Sequence, residues 1–150
     1  MQIERARLLA ERLHAHSYEE DGTALLEHIR RVAGRVDAEV QAVAWLHEAL
    51  EWTAITEHEL LRDGLDSEQL RALRLLSSAP DARSDGIYLA HLDLIARAAG
   101  RSGYMARQVK TADLQDRCLH PRIRPDGWSP PYARGLALLM HHDAGTATAV

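Results

Sequence analysis

Apolar residues recur along this chain at spacings of three and four, and no segment sustains the two-residue alternation of β-branched side chains that marks a strand. The pattern predicts an all-α fold, a compact bundle of helices round one central buried helix. A first helix is expected over about Ile3 to His16, ended by the polar turn from Ser17 to Gly22. Thr23 is placed to cap a second helix whose buried stripe is Leu25, Ile29, Val32 and Val36, with His28 beside that stripe. The third helix, over about Asp37 to Glu51, starts on an acidic residue at the positive end of the helix dipole. Its middle, Ala42-Val43-Ala44-Trp45-Leu46, is apolar on every side, as in a helix enclosed by others. It ends in ionisable groups: His47 continues the face of Val40, Val43 and Ala44, and Glu51 lies one turn further on.

Beyond it, Thr56 and Glu59 have capping-box spacing, and Asp66 can cap a helix from Ser67 to about Leu76. Ser77 to Gly86 reads as the longest mid-chain loop. Helices follow near Ile87 to Ala99 and Ser102 to Arg117, with Gly100 as the stop between them. The second of these carries the stripe Met105, Val109, Ala112, with Lys110, Asp113 and Asp116 at its edge. After an irregular segment from His120 to Ser129, Ser129-Pro130 suits the cap and first turn of a last helix from Tyr132 to Met140. Without internal repeats or a low-complexity linker, residues 1–150 read as a single domain with a core over about 3–140 and a flexible tail over 141–150.

Composition narrows the partners. A hydrophobic fraction of 46% in 150 residues can close one core. The net charge of −4 is spread over interleaved Arg, Asp and Glu, so no basic stripe invites a nucleic-acid polymer. No apolar run approaches the roughly 20 residues of a membrane span, and Met1 to Arg5 lacks the apolar core of a secretory signal. Cys118 stands alone, which precludes an intrachain disulfide. The cytoplasm is the expected compartment, with no membrane partner. Lys110 is conspicuous as the only lysine.

The chemistry centres on His47-Glu48. Burying a carboxylate beside a histidine costs several kcal/mol in order-of-magnitude terms unless a cation or hydrogen bonds compensate. Either a metal supplies that compensation, or Glu48 turns to solvent while His47 makes one core hydrogen bond. The run His47-Glu48-Ala49-Leu50-Glu51 begins like a zinc-peptidase helix, but such a helix needs a second His where Glu51 stands, so that reading fails. There remain His28, His47-Glu48 and Asp113 on three separate helices that can meet at one centre.

Three segments in this order, Leu25 to Ala33, Val43 to Thr53 and Val109 to Arg117, with Ile55 to Leu61 between the last two, resemble the HD-domain metal-dependent phosphohydrolase superfamily. The chain is similar in particular to small RelA/SpoT-type (ppGpp hydrolase-like) HD proteins, over about residues 10 to 140. The resemblance implies that His28, His47, Glu48 and Asp113 ligate a divalent metal, with Mn²⁺ the leading choice and Mg²⁺, Fe²⁺, Zn²⁺ or Co²⁺ also suited. Glu48 stands where the family has Asp, one methylene shorter, and must retract or re-aim. Glu51 is implied as the catalytic residue that orients or deprotonates water, while Trp52 replaces the Asp that follows it in the family. Lys110 matches a family Lys and Arg117 lies near the place of a family Asn, which makes both substrate-binding candidates.

The implied activity is hydrolysis of a phosphoester or pyrophosphate bond of a nucleotide or small phosphorylated metabolite. The alternative is a catalytically degenerate HD-fold module that binds a ligand or a protein. Glu19, Glu20 and Asp21 fall where ppGpp-type members are basic, and acidic groups there would repel a polyphosphate. His14, His16, His58 and His91 are assigned to packing or surface; Trp52 and Trp128 can line a pocket, with core filling as the default for both. His120 follows the last ligand helix within reach of the pocket, and His141-His142-Asp143 is set aside as a metal doublet because it adjoins the expected tail.

Overall fold

A computed structural model describes residues 1–77, 83–122 and 124–147, with side chains as far as 145. Its helices are α1 (Ile3–Leu13), α2 (Leu25–Ala33), α3 (Ala38–Leu46), α4 (Ala49–Trp52), α5 (Glu57–Arg62), α6 (Ser67–Ser77), α7 (Asp85–Arg97), α8 (Gly100–Leu119) and α9 (Tyr132–Ala147). Among the described residues the only extended pairing is one antiparallel bridge between Tyr18 and Ala24. The fold is the all-α bundle that the apolar spacing predicts.

The centre of the bundle is α3, packed against α1, α2, α6 and α8. Val40 and every residue from Ala42 to Ala49 are buried, and a fully buried Val or Leu contributes about 1.5–3 kcal/mol. The single helix expected from Asp37 to Glu51 is broken, however, at His47-Glu48. The Ala44 carbonyl accepts the His47 ring Nδ1–H at 2.7 Å as well as the His47 backbone N–H at 3.5 Å. With that acceptor taken in an i−3 pattern, the α-helical ladder lapses for two residues before α4 resumes.

Other boundaries move for identifiable reasons. The cap of α2 is Ala24, without a side-chain bond, because the Thr23 N–H is held by Asp21 Oδ1 at 2.9 Å. The turn before it closes through Glu19 N–H to Thr23 O at 2.8 Å and Leu25 N–H to Ser17 O at 2.9 Å, with Gly22 at φ 83°. Thr56 and Glu59 form the expected capping box. Asp66 and Gln69 form a reciprocal pair, each side chain accepting the other's backbone N–H, at 2.8 and 3.0 Å. Ser84 caps α7, so the helix includes Gly86; residues 78–82 of the expected loop lie outside the described residues. The expected tail is helical to Ala147, and Asp143 lies 3.7 Å from Arg107 of α8, an ion pair that ties this last stretch to the bundle. No helix among the described residues is long and apolar enough to cross a membrane.

The corner between α7 and α8 is tight. Gly100, at φ 72°, starts α8 rather than merely ending α7. A Cβ on Gly103 would lie 2.0 Å from Ala98 O and 2.4 Å from Ala98 C. Both are backbone atoms that cannot swing away, so Gly103→Ala is expected to destabilise the fold by about 3 kcal/mol, read as a lower urea midpoint at unchanged slope.

Candidate metal centre

Three elements bring four ionisable side chains to one point. α2 supplies His28, the break after α3 supplies His47 and Glu48, and α8 supplies Asp113. All four are buried, and one ligand atom from each lies within 4.8 Å of the others. His28 Nε2 is 3.2 Å from Asp113 Oδ1, 3.3 Å from His47 Nε2 and 3.5 Å from Glu48 Oε1, and Glu48 Oε1 is also 3.5 Å from His47 Nε2. The longer Glu48 thus reaches the group, because the lapse in the helix turns it inward.

The two imidazoles are oriented from behind. The Ala44 carbonyl can only accept, so His47 carries its proton on Nδ1 and, when neutral, presents the Nε2 lone pair to the common point. His28 Nδ1 sits 2.7 Å from Asp116 Oδ2. Asp116 is itself fully buried and clamped by Arg31 through Nε at 2.7 Å and Nη2 at 3.1 Å. Outer partners of this kind fix tautomer and ring orientation at metal-ligating histidines. Two imidazoles with two carboxylates form a donor set that suits Mn²⁺, Fe²⁺, Co²⁺ or Zn²⁺ better than Mg²⁺.

The electrostatics follow from burial and neighbours. Desolvation alone would raise the Asp113 carboxyl, yet Lys110, with Nζ 2.8 Å from Oδ2, and His28 hold it well below the usual range. Glu48 behaves likewise under His28, His47 and Arg122. Burial lowers His47. In His28 burial opposes the proton, but Asp113, Asp116 and Glu48 together outweigh it and push the ring up to about 10. Either a proton on His28 Nε2 or a divalent cation satisfies this geometry. Loading metal-stripped protein at pH 7 is therefore expected to release about one proton per ion, measured by titration calorimetry in buffers of different ionisation enthalpy. No buffer dependence would contradict the competition.

A cavity of about 480 Å³ opens onto Glu48 and Asp113. Glu51, Lys110 and Arg117, the three further residues singled out in the sequence, all line it. At the exposed mouth, partial desolvation and then the charge of Glu48 push the Glu51 carboxyl up to about 7. Arg117 is buried and ion-paired with Glu19. Arg122 lies 3.5 Å from both Glu19 and Glu48 and stacks over Trp52, 5.2 Å from the ring centroid. The acidic turn is therefore no bare repulsive wall, since two arginines meet Glu19 and only Glu20 of the trio lines the cavity.

Several participants escaped the sequence reading. Asp116 sits three residues after Asp113, on the same side of α8, and that spacing was the signal for its role. Arg122 and Arg124 belong to an irregular segment with no period to reveal them. Trp52 and Trp128 are not core filling: Trp52 is 53% exposed, Trp128 is half-buried, and both line the cavity. His91 is buried with Nε2 2.8 Å from Leu75 O and also reaches the cavity wall. His14 is buried, while His16, His58 and His120 are exposed; none of these, nor His141, His142 or Asp143, joins the four-residue group. No protein-family model matches the chain and no curated protein matches it, so the geometry of this centre carries the functional argument alone.

Proposed function

We propose that this chain is a metal-dependent phosphohydrolase of the HD type, acting on a phosphoester or pyrophosphate bond of a nucleotide or small phosphorylated metabolite. One observation carries the reading: His28 and His47, each oriented from behind, turn their Nε2 atoms toward the same point as Glu48 and Asp113, beside a cavity lined by both cations and carboxylates. The order of these residues along the chain is the one on which the resemblance noted above rests. A divalent cation, once bound, would lower the pKa of a water and polarise a phosphoryl oxygen. His28, His47, Glu48 and Asp113 would hold it. Glu51, poised near neutrality, is suited to orient the attacking water or take its proton. Lys110 and Arg122, each already against a ligand carboxylate, stand where phosphoryl oxygens would approach.

Elemental analysis of the purified chain, followed by a phosphate-release assay over a panel of phosphorylated metabolites with and without Mn²⁺, tests this reading. A near-stoichiometric transition metal, together with Mn²⁺-dependent release that disappears in His47→Ala, is the expected result. Metal bound without turnover of any panel member would point to the second reading, a ligand-binding module on the same fold. Arg122 so close to Glu48, and Trp52 in the position next to Glu51, are the observations that favour that alternative.

A further inference from the structure

The chain contains seven aromatic residues, three Trp and four Tyr, with no Phe. Four of them, Trp52, Tyr88, Trp128 and Tyr132, line the cavity that opens onto the candidate metal centre. Tyr88 and Tyr132 also pack against the core, whose fully buried hydrophobics among the described residues are aliphatic apart from Trp45 and Met105. Three of the four form a cluster: the Tyr88 ring lies 6.0 Å from Trp128 and 6.4 Å from Tyr132, both edge to face. Trp128 is fixed in place, with its indole Nε1–H donating to Asp85 Oδ1 at 3.2 Å and its backbone N–H to Asp126 Oδ1 at 3.1 Å. Arg124 lies over the same indole, 5.2 Å from the centroid. An anchored aromatic platform with a guanidinium beside it is the chemistry that receives a planar heterocycle, by stacking and cation–π attraction.

The charges of the lining limit what the heterocycle can carry. The lining cations are Lys110, Arg117, Arg122 and Arg124, and the lining carboxylates are Glu20, Glu48, Glu51 and Asp113. The cations are also committed: Lys110 to Asp113, Arg117 to Glu19, Arg122 between Glu19 and Glu48, and Arg124 to Asp126. The wall is thus close to neutral. A divalent cation would add two positive charges, which balance one phosphate monoester and leave the further charges of a triphosphate uncompensated. At about 480 Å³ the cavity falls within the ~300–1,000 Å³ of small-molecule sites.

Resting on the phosphohydrolase reading for the position of the phosphoryl group, we infer that the ligand is a nucleoside monophosphate, with its base on the Tyr88, Trp128 and Tyr132 platform and its single phosphate at the end holding Glu48 and Asp113. Sugar phosphates, which lack an aromatic base, and nucleoside triphosphates are disfavoured by the same wall.

The test separates this inference from the reading beneath it. In Mn²⁺-loaded Glu51→Gln protein, where turnover is suppressed, calorimetric binding of adenosine, guanosine, cytidine and thymidine monophosphates is compared with binding of ribose 5-phosphate. At least one nucleotide is expected to bind about tenfold tighter or better. Trp128→Ala should collapse that ratio toward one, and Trp128→Tyr, which keeps a ring face, should preserve most of it. Trp128→Leu repeats the comparison if the alanine variant melts early. In Mn²⁺-loaded wild-type protein, the preferred nucleoside monophosphate should exceed its triphosphate in kcat/KM.

Ribose 5-phosphate binding as tightly as every nucleotide, an unchanged ratio in the folded Trp128 variants, no binding of any nucleotide, or a preference for the triphosphate would each overturn the inference. Hydrolysis of base-free phosphates without discrimination would overturn it and leave the hydrolase standing. Trp128-dependent nucleotide binding in a chain that neither holds metal nor hydrolyses anything would do the reverse.

Discussion

Asp113→Ala is expected to leave the chain unable to retain a divalent ion, and to abolish metal-dependent phosphate release. Asp113 is the carboxylate on which the centre turns: it lies 3.2 Å from His28 Nε2 and 2.8 Å from Lys110 Nζ, with little of its side chain exposed. Removing it withdraws a ligand atom and strips the partly buried Lys110 ammonium and the buried His28 of the carboxylate they share. The loss in metal affinity should exceed the roughly 10–100-fold that follows loss of an outer partner. The fold should weaken as well, by about 3–5 kcal/mol, as when one member of a buried ion pair is removed. Asp113→Asn separates the two effects, since it keeps the shape and most of the hydrogen bonding while losing the charge. Elemental analysis and thermal melting are read on both variants. Stoichiometric metal and undiminished turnover in a folded Asp113→Ala protein would move the active centre elsewhere.

The second large effect is expected at Asp116, which is not one of the four candidate ligands but holds His28 from behind. It receives the His28 Nδ1 bond and both arms of Arg31 while being 0% exposed. Asp116→Ala frees the His28 ring to rotate and exposes Arg31 to an unpaired, half-buried existence. Metal affinity is expected to fall by about 10–100-fold and stability by about 3–5 kcal/mol. The pH dependence carries a further signature. Burial would raise the Asp116 carboxyl, but His28 and Arg31 hold it well below its ordinary value. A carboxyl depressed in the folded state stabilises the fold above its unfolded pKa of about 3.9, and the contribution is lost as pH falls through the lower folded value. Wild-type stability should therefore decline in acid below about pH 5 more steeply than that of Asp116→Ala. Parallel profiles from urea titrations at several pH values would show that Asp116 contributes nothing by its charge.

Much of this molecule is legible from its sequence because helical spacing and burial are the same information. The apolar band from Ala42 to Leu46 predicts the central helix, and the stripe with His28 beside it predicts which face of α2 turns inward. Capping at Thr56 and Asp66 is equally local, each pair lying within one turn. What escapes is non-local or aperiodic. The lapse at His47 depends on a side chain competing for a carbonyl of its own helix, an event that leaves the apolar pattern unchanged. Glu19 looks repulsive in sequence because Arg117 and Arg122, which meet it, lie about a hundred residues away. The aromatic wall draws on α4, α7, α9 and the segment before α9, and no spacing within one element announces it.

Gly103 also bears on the chemistry. α8 carries Lys110, Asp113, Asp116 and Arg117 on one rigid rod, so the centre is assembled correctly only if that rod is held at the right height and the right rotation. A slip of one residue along an α-helix translates a side chain by roughly 1.5 Å and turns it by about 100°, enough to carry Asp113 out of reach of His28. The close seat of Gly103 on the Ala98 carbonyl fixes that register at the start of the helix, roughly 15 Å from Asp113. The glycine is in effect the datum from which the position of Asp113, a candidate metal ligand, is measured.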